Sequence, residues 1–296
     1  MRVFVTGATG FIGSAIVAQL LHAGHQVLGL TRSDTGAQAL AAAGAEAHRG
    51  SLQDRDSLRR GAAQSDGVIH CAFDHDFSNF AANCEQDGRA IAALGAALAG
   101  SHRPFIVTSG VAMGSLGHGQ PATEDVFNRE YPNPRKASEL AASAAAADGV
   151  NVSVVRLPQV HDTARHGLIT YAIAIAREKG VLAYVGDGSN RYSAAHVLDV
   201  ARLYRLALER GEPNACYHAV AEEGVALREI AEVIGRGLNV PVASVPPEQA
   251  TQHFGWLGMF AGLDLTASSA QTRARLGWTP VGPGLTEDLE RHFGLR

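Results

Sequence analysis

Apolar positions along this chain follow two alternating rhythms. Residues 2–6 are a β-branched and aromatic run, and apolar runs recur at 26–30, 45–48, 68–72, 105–108 and 152–156. Short continuous runs of this kind predict strands buried on both faces. Between them the period lengthens. Ile12, Ile16, Leu20 and Leu21 form a helical stripe that Gly24 stops, and Ile91, Leu94 and Leu98 line one face of an Ala-rich helix over 77–99. Further helices are predicted at 35–43, 54–61 and 135–147. Strand alternating with helix predicts an α/β fold, a doubly wound parallel sheet with helices on both faces. Right-handed crossovers gather the strand C-termini on one edge. Gly7, Thr31, Ala72, Ser109 and Pro158 fall on that edge, so a ligand is expected to lie across it.

Beyond residue 160 the rhythm loosens. Helices are predicted at 167–178, 196–209, 226–237 and 283–293, with apolar runs at 181–185 and 215–219. The expected organisation is a sheet domain of residues 1–160, to which 190–222 return. A smaller C-terminal cap over 161–189 and 223–296 then builds a substrate cleft. Trp256-Leu257-Gly258-Met259-Phe260 is read first as cap packing and second as a wall of that cleft.

Composition narrows the class. A chain of 296 residues, 46% hydrophobic and 18% charged, can bury a sizeable core. A net charge of −4 without a basic run argues against a nucleic-acid partner. No apolar stretch approaches the ~18 residues of a membrane span. Three cysteines, Cys71, Cys84 and Cys216, lack metal-ligand spacing, so no metal is expected. Their odd number and a first strand that starts at residue 2 suit a reduced, cytoplasmic protein. Only two lysines, Lys136 and Lys179, stand among 25 basic residues, which draws attention to each.

The first strand runs into Thr6-Gly7-Ala8-Thr9-Gly10-Phe11-Ile12-Gly13. Gly7 allows a sharp turn off the strand. Gly10 clears the approach of backbone N–H groups to a pyrophosphate, and Gly13 lets the following helix pack close to the strand. The helix N-terminus then turns its positive end toward the phosphates. Strand, turn, helix and second strand fill the ~30 residues of a βαβ unit, as in Rossmann-type dinucleotide binding.

With these motifs the chain resembles the extended short-chain dehydrogenase/reductase family, in an atypical branch of the epimerase/dehydratase kind. Thr6 to Gly13 is similar to that family's nucleotide turn. Gly50-Ser51-Leu52-Gln53-Asp54 resembles its adenine segment, and Val68-Ile69-His70-Cys71-Ala72, with Phe73 after it, its fourth strand end. Gly186-Asp187-Gly188 followed by Arg191, Ser193, His196 and Asp199, and the C-terminal Leu276-Gly277-Trp278-Thr279-Pro280, complete the likeness. The resemblance implies a nicotinamide cofactor held by Thr6, Gly7, Thr9, Gly10, Phe11, Ile12, Gly13, Ser51, Leu52, Cys71, Ala72 and Phe73. Pro158, Gln159 and Val160 would flank the nicotinamide amide. It also implies a monomer or homodimer.

An NAD site usually places Asp or Glu at the end of strand two, about 20 residues past the glycines. Here Thr31, Arg32 and Ser33 stand there. Arg32 can make a bidentate contact with a 2′-phosphate and Ser33 can donate a hydroxyl, which favours NADP(H) over NAD(H). Asp34 leaves an NAD ribose contact open.

The family's usual catalyst is Tyr-x-x-x-Lys with a Ser or Thr on strand five. Lys136 suits the lysine, but Pro132 stands four residues before it and Tyr131 five. Pro132 and Pro134 disfavour a continuous helix there, so Tyr131 is expected in an extended segment, as candidate proton donor. Lys136 is then the candidate cofactor contact. On strand five Ser109 is the candidate hydroxyl for the substrate, with Gly110 beside it, and Thr108 is placed on the nicotinamide side. Phe73, His75 and His161 are candidate substrate contacts; His70 is read as structural, and His196 and Asp199 as organising the domain junction.

The expected activity is NADP(H)-dependent hydride transfer between a ketone or aldehyde and its alcohol, on a small or hydrophobic carbonyl substrate. The alternatives are an epimerase or dehydratase with bound NAD(P), and a cofactor-binding regulator without turnover, which the displaced tyrosine keeps open.

Overall fold

The computed structural model describes residues 1–117 and 119–295. Its first half runs β1(Arg2–Thr6), α1(Phe11–His22), β2(Gln26–Thr31), α2(Asp34–Ala42), β3(Glu46–Arg49), α3(Arg55–Ala63), β4(Gly67–His70), α4(Phe80–Leu98), β5(Phe105–Gly110), α5(Lys136–Ala147) and β6(Val152–Leu157). The second half runs β7(Gln159–His161), α6(Ile169–Lys179), β8(Leu182–Val185), β9(Arg191–His196), α7(Val197–Arg210), β10(Cys216–His218), β11(Glu222–Ala226), α8(Leu227–Leu238), β12(Val242–Val245), α9(Ala250–Phe254), α10(Gly258–Ala261), α11(Ala270–Leu276) and α12(Leu285–His292).

The main sheet has the order β10-β6-β5-β4-β1-β2-β3, and every pair in it is parallel. This is the doubly wound Rossmann order, whose topological switch lies between β1 and β4. Val3, Phe4, Val5, Ile69, Phe105 and Ile106 are fully buried, because both faces are covered. On one face Ile16 and Leu20 of α1 pack with Val200, Leu203 and Tyr204 of α7. On the other, Leu58, Ile91, Leu94 and Ala142 bring in α3, α4 and α5. The α/β expectation therefore holds.

Two details differ from the sequence pattern. The helix expected from 77 is broken: Phe77–Asn79 forms a 3-10 turn capped by Asp76, and α4 starts at Phe80. Residues 71 and 72, expected in a strand, leave the sheet at His70 and become part of the cleft loop.

Of the 190–222 stretch, α7 and β10 lie on the main sheet, whereas β9 pairs with β7 and β11 in a separate three-stranded sheet. The rest forms a cap in which β8 and β12 pair and α6, α8 and α12 share a core. The junction is pinned by Asp199. Its carboxylate accepts from the N–H groups of Val281 and Gly282 at 3.0 and 2.7 Å, while Trp278 Nε1 donates to its carbonyl. No helix among the described residues is long and apolar enough to cross a membrane.

Candidate active site

A cavity of about 900 Å³ opens along the C-terminal edge of β1, β2, β4, β5 and β6 and under the cap. Its floor is the glycine turn. Gly7 has φ +71°, and a Cβ there would lie 2.8 Å from Ala72 N; a Cβ on Gly13 would lie 1.9 Å from Gly7 O. Only glycine lets the two strand ends and α1 come this close. α1 has no side-chain cap and no acidic residue in its first turn, so its first N–H groups and their partial positive charge remain available to an anion. Thr9, Gly10, Phe11 and Ile12 line the cavity above this turn. Residues and shape both fit a dinucleotide pyrophosphate.

Thr6 stands behind the turn rather than in it. Its side chain is buried, with Oγ1 2.8 Å from Nδ1 of His70 and accepting from Ala72 N at 3.3 Å. It ties β1 to β4, which corrects its expected cofactor contact. Cys71 donates to Thr6 O at 2.9 Å, and burial pushes its thiol up to about 12, so it is inert at neutral pH. Cys71, Ala72 and Phe73 line the cavity.

At the end of β2, Thr31 and Arg32 line the cavity. Arg32 is exposed and has no ion pair among the described residues. Ser33 does not reach the lining: it caps α2 by accepting from Gly36 N at 3.1 Å. Asp34 turns outward to pair with Arg49 at 2.8 Å. Ser51 and Leu52 lie across the same end, held where Gln86 Nε2 donates to Leu52 O at 2.8 Å.

The catalytic end is organised by β5. Thr108 and Ser109 are adjacent and both line the cavity, with Gly110 after them, yet they are used differently. Thr108 Oγ1 lies 2.7 Å from both the His70 carbonyl and the Tyr204 hydroxyl. Ser109 Oγ is buried and has no protein hydrogen-bond partner. A buried polar atom without a partner is uncommon, and here it belongs to a residue on the cavity lining.

Tyr131 lines this cavity from the irregular segment before α5. Burial raises its phenol above the usual tyrosine range, so it stays protonated at neutral pH. Lys136 does not join it. Its ammonium is directed to the Arg129 carbonyl at 3.0 Å, on the exposed side, because α5 begins at Lys136 and turns that side chain away. The expected cofactor contact of Lys136 is thereby corrected.

Arg135 takes the inward position instead, four residues after Tyr131. Its guanidinium lies 4.1 Å over the Phe73 ring. It donates to Asp87, Ser138 and the Thr108 carbonyl. Asp87 is buried and also accepts from Ser138 Oγ at 2.6 Å, with His70 Nε2 at 3.0 Å. Burial alone would raise this carboxyl, but Arg135 and His70 outweigh it and hold it well below the carboxylate range. The Tyr131–Arg135 spacing is present in the sequence beside the adjacent Lys136.

His75 lines the outer cavity, where partial desolvation and the Arg135 charge keep its imidazole below its usual value. Pro158, Gln159 and Val160 form the opposite wall, and Gln159 Oε1 accepts from Leu168 N at 2.9 Å. His161 is not a cavity residue. It is fully buried, with Nδ1 2.8 Å from Asp288 Oδ2 of α12, which corrects its expected substrate contact. Phe77, Phe80 and, from the cap, Tyr171 also line the cavity, though no local pattern marked them, and Phe260 does so from the stretch read second as a cleft wall.

Comparison with known proteins bears on the family and the fold. The family model described as "NAD dependent epimerase/dehydratase family" matches residues 3–220. The uncharacterized protein C2A9.02 of Schizosaccharomyces pombe is 48% identical over 290 residues, 98% of each chain. The uncharacterized protein YLL056C of Saccharomyces cerevisiae is 42% identical over 299 residues, 100% of each chain. Among solved structures, the dTDP-glucose 4,6-dehydratase DesIV from Streptomyces venezuelae, with NAD and TYD bound, superposes with a TM-score of 0.78. It is 21% identical and covers 98% of this chain and 96% of its own.

Proposed function

The chain belongs to the NAD dependent epimerase/dehydratase family, and within it we propose that the protein is an NADP(H)-dependent oxidoreductase that reduces a ketone or aldehyde of a small or hydrophobic substrate. The reverse alcohol oxidation uses the same site. The observation that carries this reading is that Ser109, whose buried hydroxyl has no protein hydrogen-bond partner, lines the same cavity as Tyr131.

Bound on the glycine turn, the nicotinamide would supply the hydride. Ser109 and Tyr131 hold the carbonyl oxygen as hydrogen-bond donors. As the oxygen gains negative charge, the Tyr131 O–H bond breaks and its proton moves to that oxygen. Tyr131 is protonated at neutral pH and so has a proton to give. Arg135 orders the site as a fixed cation whose charge is balanced by Asp87. The cap shields the reacting atoms from bulk water.

Arg32 supports the choice of NADP(H): it is exposed on the lining without a competing carboxylate, and Asp34 is engaged by Arg49. The test is NADPH and NADH titrated separately, followed by carbonyl-dependent absorbance loss. Tighter NADPH binding and oxidation by a ketone or aldehyde are expected. NADPH bound tightly but oxidised by no carbonyl would replace the reductase with a cofactor-binding regulator. Equal binding of NADH would remove the role of Arg32.

A further inference from the structure

We propose, resting on the reductase reading above, that the carbonyl substrate is an aryl ketone or aryl aldehyde whose planar ring lies against an aromatic wall at the cap end of the cavity. The wall is assembled from three separate parts of the chain. Phe73, Phe77 and Phe80 come from the segment that leads from β4 into the start of α4, Tyr171 from α6 and Phe260 from α10, and all five line the cavity. Phe77 sits at the centre, 5.5 Å from Phe80, 5.9 Å from Tyr171 and 6.1 Å from Phe260 between ring centroids. Behind it Trp256 stacks in parallel at 4.0 Å and 6°. That stack fixes Phe77 before any ligand arrives. Tyr171 remains 38% exposed, apolar surface that a flat ring would cover. Offset and edge-to-face contacts then favour an aromatic guest over a saturated one of equal size.

The charges around the wall exclude the other obvious guest. Arg135 is neutralised by Asp87 and covered by Phe73. Arg165 lies over Phe11, beside the glycine turn rather than the wall. His75, 5.3 Å from Phe73, is disfavoured as a cation by desolvation and Arg135, and Asp74 adds a negative charge at the rim. Among the described lining residues no unpaired cation stands at this end, so the diphosphate of a nucleotide sugar finds no partner there.

The experiment compares acetophenone with cyclohexyl methyl ketone, which match in size but differ in planarity, under saturating NADPH. UDP-glucose is the third arm. A kcat/KM preference for acetophenone of about three- to tenfold is expected, falling toward unity in Phe77→Leu. A second readout is independent of turnover: calorimetric binding of 1-phenylethanol and 1-cyclohexylethanol to the NADP-loaded protein, expected to differ in the same sense. Equal kcat/KM and equal binding for the two shapes would overturn the aromatic site while leaving the reductase intact. Conversion of UDP-glucose would overturn it as well. Tight, selective binding of the aryl alcohol with no ketone reduced would keep the aromatic site and refute the reductase.

Discussion

Neighbouring hydroxyls on β5 offer a paired perturbation with opposite expected outcomes. Thr108→Val removes a hydroxyl that bridges the His70 carbonyl and the Tyr204 hydroxyl, each at 2.7 Å. Both partners lie in the buried sheet core, and Tyr204 is fully buried. Leaving two buried groups without this partner costs about 1–1.5 kcal/mol each, or roughly 2–3 kcal/mol in all. That corresponds to a fall in Tm of roughly 3–5 °C for a chain of this size. Ser109→Ala removes a buried hydroxyl that bonds no protein atom. Its loss should leave stability within about 1 kcal/mol of the parent, or raise it, because a desolvated hydroxyl without a partner is itself unfavourable. Activity should move the other way. Removing a donor to the reacting oxygen costs on the order of 10²-fold in kcat, while Ser109→Ala should retain its affinity for NADPH. Urea unfolding and NADPH oxidation on both variants read the two axes. If Ser109→Ala unfolded like Thr108→Val and kept full activity, Ser109 would be an ordinary structural serine.

Three further outcomes follow from the same geometry. Gly13→Ala places a methyl 1.9 Å from Gly7 O, so α1 must move; NADPH affinity by calorimetry should fall at least about tenfold, and an unchanged affinity would remove the turn from the binding site. Arg135→Met strands the buried Asp87 carboxylate and should cost about 3–5 kcal/mol in urea unfolding, whereas Lys136→Met should change stability by less than about 0.5 kcal/mol; equal effects would refute the assignment of Arg135 as the inward residue. Burial holds His166 down to about 4 and His218 to about 3. Their folded values lie below the unfolded one, so between the two the unfolded chain binds more protons. Stability is then fully present above about pH 6.5 and declines toward about pH 4, by about 2 kcal/mol per histidine between about pH 7 and about pH 5. Urea midpoints that do not shift over that interval would contradict the buried neutral imidazoles.

The strands of the main sheet were legible because burial on both faces leaves a continuous apolar run, as in Phe105-Ile106-Val107. The glycine turn was legible because each glycine answers a steric demand that no side chain could meet. Short strands of mixed polarity were not. β9 reads Arg-Tyr-Ser-Ala-Ala-His and owes its place to pairing with β7 and β11. The aromatic wall was legible only at Phe260, in the stretch read second as a cleft wall. Phe77 and Tyr171 are far apart in sequence and meet only because the cap folds over the sheet edge. His161 was placed by its nearness to the end of β6, but its partner Asp288 lies 127 residues away. Arg135 shows a different limit. Its four-residue spacing from Tyr131 was present in the sequence, yet only the start of α5 at Lys136 decides which of two adjacent cations turns inward.

The most direct test follows the hydrogen that the reaction moves. The protein is incubated with NADPH carrying deuterium at the transferable C4 position and an aryl ketone. One NADPH consumed per alcohol formed, with deuterium on the carbinol carbon, is the expected result. Product formed without net loss of NADPH, or without the label, would contradict a carbonyl reductase.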